Sequence, residues 1–158
     1  MHTRINKVPT RSFFLFGPRG TGKSTWLRAH LSGVPWFDLL DSHVYFDLLA
    51  DPSRIERRLP TTYTGWVVID EVQRIPELLN EVHRLIESRD LQFALTGSSA
   101  RKLRRGGVNL LAGRAVTLHM HPLVRAEVGG AWSLSTALDR GGLPFAVTRD
   151  NPAEAAVF

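Results

Sequence analysis

The sequence predicts an α/β domain built on a mainly parallel sheet. Short apolar runs alternate with segments whose apolar residues recur at helical spacing. Some of these runs are continuously apolar, as expected for strands buried on both faces of a parallel sheet. The length of 158 residues suits one compact domain. An apolar share of 43% and a charged share of 22% are ordinary for a globular protein and argue against disorder over the whole chain.

Five strands are predicted from runs rich in aliphatic, aromatic and β-branched side chains. They cover residues 12–16, 36–40, 66–69, 91–95 and 115–120.

Helices are predicted between these strands. They cover about 22–31, one or two pieces within 41–59 broken near Pro52, a segment starting at Pro76, and 100–105. Pro76 suits the first position of a helix, and behind it Leu78, Val82 and Leu85 recur on one apolar face.

Composition excludes several kinds of site. With no cysteine, the chain has neither a disulfide framework nor a thiolate metal site. No apolar run approaches the ~20 residues of a membrane-spanning helix, and the first residues do not resemble a signal peptide. We therefore expect a soluble, cytoplasmic protein. The net charge of +5 favours anionic partners such as phosphates, nucleic acid or acidic proteins, although a role in solubility alone is equally open.

Residues 17–24, GPRGTGKS, match the pattern G-x-x-x-x-G-K-[ST] in full. A loop whose backbone N–H groups turn inward can surround a polyphosphate, and glycines keep side chains out of that approach. The N-terminus of the following helix adds free N–H groups and a positive dipole end. The position between a buried strand and a helix distinguishes this pattern from an ordinary glycine-rich turn.

Two side chains of this loop carry specific roles. Lys23 supplies an ammonium for the β- and γ-phosphates of ATP, and Ser24 supplies a hydroxyl for Mg²⁺. Thr21 and Thr25 are predicted to contribute to packing or to contact the α-phosphate. The predicted nucleotide-binding residues of the loop are Gly17, Pro18, Arg19, Gly20, Thr21, Gly22, Lys23, Ser24 and Thr25.

Two carboxylates end the third predicted strand, VVIDE. Magnesium prefers oxygen ligands and retains several waters, so Asp70 is predicted to hold Mg²⁺ together with Ser24. Glu71 is predicted to orient and deprotonate the water that attacks the γ-phosphate.

The fourth predicted strand ends in small polar residues, TGSS. If this strand lies between the first and the third, Thr96 and Ser98 face the γ-phosphate and act as sensors of its presence. The alternative is a simple strand end in which Ser98 or Ser99 caps the next helix.

Two further groups of residues favour structural roles. The basic residues of 101–105 suit a solvated helix face better than a nucleic-acid surface, because no aromatic residues interleave with them. His119 and His121 alternate near the end of a strand, but no third metal ligand is near them in the sequence.

The ordered motifs GPRGTGKS, VVIDEVQRIPELL, FALTGSSARKL, LAGR and HPLVRAE closely resemble one subgroup of the AAA+ ATPases over about residues 11–128. The resemblance implies a three-layer α/β/α P-loop NTPase fold with sheet order 5-1-4-3-2. It also implies that residues 17–24 form Walker A and that Asp70 and Glu71 complete Walker B. Arg114, in the LAGR motif, is implied to be a catalytic finger or nucleotide-sensing arginine, with a structural salt bridge as the equal alternative.

The resemblance divides the chain into an ATPase core, residues 1–128, and the beginning of a C-terminal region, residues 129–158, that we expect to be truncated. The predicted function is Mg²⁺-dependent ATP hydrolysis, with Lys23, Glu71 and Arg114 as catalytic residues. The alternative is a nucleotide-controlled module that binds protein or DNA and hydrolyses little ATP. A protein partner or self-assembly is expected, nucleic acid is a further possible partner, and no membrane is expected.

Overall fold

The computed structural model describes residues 3–105, 111–129 and 141–148, together with the single residues 133, 135 and 138. Its strands are β1 (Phe13–Phe16), β2 (Trp36–Asp38), β3 (Gly65–Asp70), β4 (Leu91–Gly97) and β5 (Val116–His119). Its helices are α1 (Lys23–His30), α2 (Ser42–Ala50), α3 (Arg54–Arg57), α4 (Leu78–Arg89), α5 (Ala100–Arg105), α6 (Arg125–Val128) and α7 (Pro144–Thr148). Most of the C-terminal region predicted from residue 129 onward lies outside these residues, as do the side chains of Lys102, Arg104 and Arg105.

The sheet has the order β2-β3-β4-β1-β5, and every neighbouring pair is parallel. Counted from the other edge, this is the predicted order 5-1-4-3-2, which is thereby confirmed. Because all the strands run the same way, their carboxyl ends meet at one edge of the sheet. β1 lies between β4 and β5, so the segment that follows β1 leaves from the middle of that edge.

The sheet is covered by helices on both faces. On one face, Phe13 and Leu15 pack with Trp26 and Leu27 of α1. On the other face, Phe14 and Phe16 belong to a larger cluster that includes apolar residues of α2, α3, α4 and α5. Burial on both faces explains why β1 is continuously apolar, and it confirms the predicted three-layer arrangement.

The helix predicted to start at Pro76 begins two residues later. A 3-10 turn, Val72–Arg74, follows β3, and α4 starts at Leu78. The intervening backbone bonds have the three-residue spacing of turns, with Leu78 N–H donating to Ile75 O and Leu79 N–H to Pro76 O, both at 3.1 Å. The predicted apolar face is nevertheless correct, since Leu78, Leu79, Val82 and Leu85 are buried.

The segment 41–59 forms two helices that are interrupted at the predicted position. Asp41 caps α2, and its carboxylate accepts from His43 N–H at 2.8 Å and from Val44 N–H at 3.3 Å. α2 ends at Ala50 and α3 starts after Pro52, which suits the first turn of a helix better than its interior.

Across residues 3–105, 111–129 and 141–148, no helix is both long and apolar enough to span a bilayer.

Candidate functional site

The glycines of residues 17–24 meet distinct steric demands. Gly20 and Gly22 have φ angles of 82° and 88°, in the left-handed region that favours glycine. A Cβ on Gly17 would lie only 2.1 Å from the carbonyl oxygen of Met120. Gly17 N–H donates to Gly97 O at 3.2 Å, which joins the start of the loop to the end of β4. The loop therefore has the backbone shape that the sequence pattern predicts.

Lys23 is the first residue of α1, and its ammonium contacts the backbone of the phosphate loop. The residue is only 6% exposed. Its Nζ donates to Gly17 O at 2.8 Å and to Pro18 O at 3.0 Å. Burial lowers the pKa of Lys23, while the negative charges of Glu71 and Asp70 act in the opposite direction. Lys23 therefore lies within electrostatic range of both carboxylates, although they are at the end of β3, a separate element.

Asp70 and Glu71 meet the end of β4 through one hydroxyl group. The register pairs Ile69 with Leu95, which places Asp70 beside Thr96. Thr96 Oγ1 donates to Asp70 Oδ1 and accepts from Glu71 N–H at 2.9 Å. Thr96 is fully buried and Asp70 is almost so. β4 lies between β1 and β3, as the prediction for Thr96 required, and the Thr96 hydroxyl contacts the acidic pair directly.

Glu71 adopts a backbone conformation that was not anticipated from its sequence position. Its φ angle is 61°, in the left-handed region, where a residue with a side chain is strained by roughly 1–2 kcal/mol. The bend ends β3 and begins the 3-10 turn Val72–Arg74. Gln73, in that turn, donates from Nε2 to Glu71 Oε2. Sequence analysis missed Gln73, although it lies within the motif that contains the two acids.

These residues surround an open cleft of about 370 Å³. Most of its lining comes from the phosphate loop and α1, and the remainder from three other segments of the chain. The lining residues are Arg19, Gly20, Gly22, Lys23, Ser24, Thr25, Leu40, Glu71, Pro144 and Phe145. The structure thus brings the predicted loop and Glu71 together in one concave site, with Asp70 and Thr96 buried next to it.

The polar residues at the end of β4 were considered either as γ-phosphate sensors or as a helix cap, and the structure places different residues in positions for each role. Thr96 contacts Asp70, as described above. Ser99 Oγ accepts from Arg101 N–H at 3.2 Å, as an N-cap residue of α5 does. Ser98 lies in the bend between them and does not line the cleft. A sensor role for Ser98 stays a prediction.

Arg114 lies away from the cleft in its own chain. Its Nε donates to a carboxylate oxygen of Glu87. Glu87 is in the last turn of α4, which runs from the carboxyl end of β3 back to the amino end of β4, and Arg114 precedes β5. The pair therefore lies at the edge of the sheet opposite the phosphate loop, and it lowers the pKa of Glu87.

The two histidines weighed as metal ligands stack on each other. The ring centroids of His119 and His121 are 6.1 Å apart. In the described part of the chain, no three acidic or histidine side chains cluster as metal ligands.

An N-terminal arginine supports the phosphate loop from outside. Arg4 Nη1 donates to Glu127 Oε2 at 2.8 Å and to His121 O at 3.1 Å, and its Nη2 donates to Thr21 O in the loop. The side chains of Arg4 and Glu127 are only 6% and 3% exposed. Sequence analysis missed this pair because its members are separated by 123 residues.

Replacing Arg4 with methionine is expected to destabilise the protein by about 3–5 kcal/mol, because the buried Glu127 carboxylate would keep only the N–H bonds from Ile5 and Val124 and lose the positive charge that pairs with it. Urea unfolding measures this change, with Lys7→Met, at an exposed position of the same segment, as the control. The double variant Arg4→Met/Glu127→Met should regain part of the loss, since no unpaired charge remains. Equal stability of Arg4→Met and Lys7→Met would show that the pair contributes nothing.

Comparison with known proteins adds three findings. A sequence model of the AAA domain family matches residues 9–129, more than half of the chain. The structure resembles that of a Walker-type ATPase of Pyrococcus abyssi with a TM-score of 0.55 and 18% identity, over 90% of this chain and 64% of the other. It also resembles Drosophila ORC bound to DNA with a TM-score of 0.47 and 18% identity, over 74% of this chain and 39% of the other.

At 18% identity, the likeness to the Walker-type ATPase shows the fold alone. The chain spans less than two-thirds of the length of either structure. No curated protein sequence matches it.

Proposed function

Because this chain belongs to the AAA domain family, we propose that it is an ATPase that binds ATP with Mg²⁺ in the cleft above the phosphate loop and hydrolyses it. The observation that carries this proposal is the shared cleft of Lys23 and Glu71 at the carboxyl edge of the parallel sheet. Two groups of opposite charge, Lys23 from the start of α1 and Glu71 from the end of β3, line the same cleft there. That arrangement suits a substrate with a negative phosphate chain and a water to be activated.

The phosphate loop supplies the binding energy for the polyphosphate. Its left-handed glycines allow the loop backbone to wrap its N–H groups around phosphate oxygens, and α1 would add the positive end of its dipole. The Lys23 ammonium is bonded to two loop carbonyls, and exchanging these for phosphate oxygens replaces neutral acceptors with charged ones. ATP binding is therefore expected to be strongly dependent on this one side chain.

The oxygen groups next to Lys23 fit a hard divalent cation. Ser24 lines the cleft, and Asp70 is buried beside it with one carboxylate oxygen bonded to the Thr96 hydroxyl. Two protein oxygens, with phosphate oxygens and waters completing the shell, suit Mg²⁺ better than a metal that requires nitrogen or sulfur ligands. Ser24 and Asp70 would hold the ion, which neutralises charge on the phosphates when bound.

Hydrolysis requires a base close to the γ-phosphate. Glu71 orients a water and accepts its proton while the water oxygen bonds to the γ-phosphorus and the bond to ADP breaks. Thr96 fixes the backbone of Glu71 through the 2.9 Å bond to its N–H. A rotation of the Thr96 hydroxyl would therefore break its bonds to both Asp70 and Glu71, which suits the proposed sensor role.

The rival function, a nucleotide-controlled binding module, predicts a different kinetic result. An ATPase should release phosphate in a single turnover without added DNA or protein. A module should bind ATP with little phosphate release and should change its affinity for a protein or DNA target with the bound nucleotide. Rapid phosphate release by the isolated chain favours the ATPase, and tight ATP binding without release favours the module.

A finger role for Arg114 would require a second copy of the chain, because in its own chain the residue pairs with Glu87 at the opposite edge. We expect Arg114→Ala to lower turnover and Glu87→Gln to leave it unchanged. Turnover per chain, measured at increasing protein concentration, checks both. Equal effects of the two variants would assign Arg114 to the salt bridge instead.

Three described residues of the C-terminal region proposed for 129–158 lie beside the phosphate loop, namely Leu143, Pro144 and Phe145. Side-chain atoms of Leu143 and Phe145 would lie 3.9 Å from a Cβ on Gly20, and Pro144 would lie 3.8 Å from one on Gly22. These contacts support a division in which the region after the core closes one side of the nucleotide cleft.

A further inference from the structure

We propose that Gln73 is the positioning residue of Glu71, and that its side-chain amide holds the Glu71 carboxylate in the orientation needed to activate water. This inference rests on the proposed ATPase function. It adds a residue to which neither the sequence motifs nor the comparisons assign a role.

The first observation is the contact itself. Gln73 lies in the 3-10 turn Val72–Arg74, two residues after Glu71, and its Nε2 donates to Glu71 Oε2. The backbone of Glu71 is held separately by Thr96, whose hydroxyl accepts from Glu71 N–H at 2.9 Å. Thr96 thus holds the backbone of Glu71 in place, and Gln73 holds its carboxylate group.

The second observation concerns the other half of the amide. Gln73 Oε1 is buried and has no hydrogen-bond partner among the described residues. It lies over the end of β4, where a Cβ on Gly97 would come within 2.6 Å of it. Buried side-chain amides are normally paired at both ends, and an unpaired one in a native protein calls for a reason. Among the described residues, the side-chain amide of Gln73 therefore bonds through its donor to Glu71 and through its acceptor to nothing, so the bond to Glu71 is the polar contact that its position provides.

The third observation is the nearby positive charge. Glu71 and Lys23 line the same cleft and interact electrostatically. A Glu71 carboxylate released from Gln73 is free to turn toward the Lys23 ammonium and to form an ion pair in the place of the γ-phosphate. The bond to Gln73 opposes that movement and keeps the two charges available for different tasks.

The test compares ATP hydrolysis with ATP binding in Gln73→Leu, which keeps the size of the side chain and removes the donor. We expect kcat to fall about tenfold, which is less than the roughly 10²–10⁴-fold attributed to the general base itself because Glu71 is still present, while the Kd for ADP changes less than about twofold. Gln92→Leu is the matched control. Gln92 also donates one bond, to Thr10 O at 2.9 Å, but it lies at the opposite end of β4. Gln92→Leu should leave kcat unchanged.

A second variant keeps the test decisive if Gln73→Leu does not fold. Gln73→Glu has the same shape and cannot donate from its ionised carboxylate, so it should lose turnover at least as strongly. Circular dichroism and thermal unfolding show whether each variant is folded.

A double-mutant cycle separates positioning from a general structural effect. In the Glu71→Gln background, adding Gln73→Leu should lower the residual turnover no further, because the carboxylate to be positioned is already gone. A second tenfold loss in that background would overturn the inference.

The outcomes also distinguish this inference from the proposed function. A parent protein that hydrolyses ATP and a folded Gln73→Leu variant with normal kcat overturn the role of Gln73 alone. A parent protein without turnover overturns both.

Discussion

Lys23→Ala is expected to weaken ATP binding by about 3 kcal/mol, or roughly 100-fold in Kd, because it removes a buried ammonium from charged phosphate oxygens. The folded state should persist. Burial lowers the pKa of Lys23, which means that keeping this ammonium charged in the fold is unfavourable. Removing the group relieves that cost while losing its bonds to Gly17 O and Pro18 O.

Isothermal titration with ATP and with ADP measures this effect. Arg28→Ala is the matched control, because it removes one positive charge from the same helix at a position away from the cleft. The Arg28→Ala variant should bind ATP and ADP with the same Kd as the parent protein. If Lys23→Ala and the parent bind ATP equally well, the cleft is not a nucleotide site and the proposed function is wrong.

Glu71→Gln is expected to lower ATP turnover by roughly 10²–10⁴-fold while ATP binding is retained, because the amide keeps the size of the side chain but accepts no proton from water. The left-handed backbone at Glu71 and the bond from its N–H to Thr96 do not depend on the side-chain charge. The cleft should therefore keep its shape. The variant should accumulate bound ATP where the parent accumulates ADP.

Phosphate release in single turnover, with nucleotide content measured on the recovered protein, checks this result. Glu77→Gln, an exposed acid in the turn before α4, is the control and should hydrolyse ATP normally. Unchanged turnover in Glu71→Gln would remove Glu71 from the mechanism and leave ATP binding to be judged from Lys23→Ala alone.

The features read correctly from the sequence are those encoded by neighbouring residues. The buried strand β1, the glycines of the phosphate loop and the break at Pro52 each follow from steric or periodic properties of a few consecutive side chains. The start of α4 was misplaced because Pro76 is as compatible with a turn as with a first helical position, and nothing local separates the two. The strand order came from resemblance to a family, since strand composition alone does not determine which strands pair.

The sequence by itself determined the glycine-rich loop after β1 and the position of Asp70 and Glu71 at the end of β3, because left-handed glycines and a hydrophobic strand are properties of short segments. Only the tertiary structure decided that Gln73 donates a hydrogen bond to Glu71 and that Arg4 pairs with Glu127, 123 residues away in the sequence. It also decided that Arg114 turns to Glu87. These choices depend on which polar groups packing brings within hydrogen-bond distance after the backbone is fixed, and that proximity is not written in any local pattern.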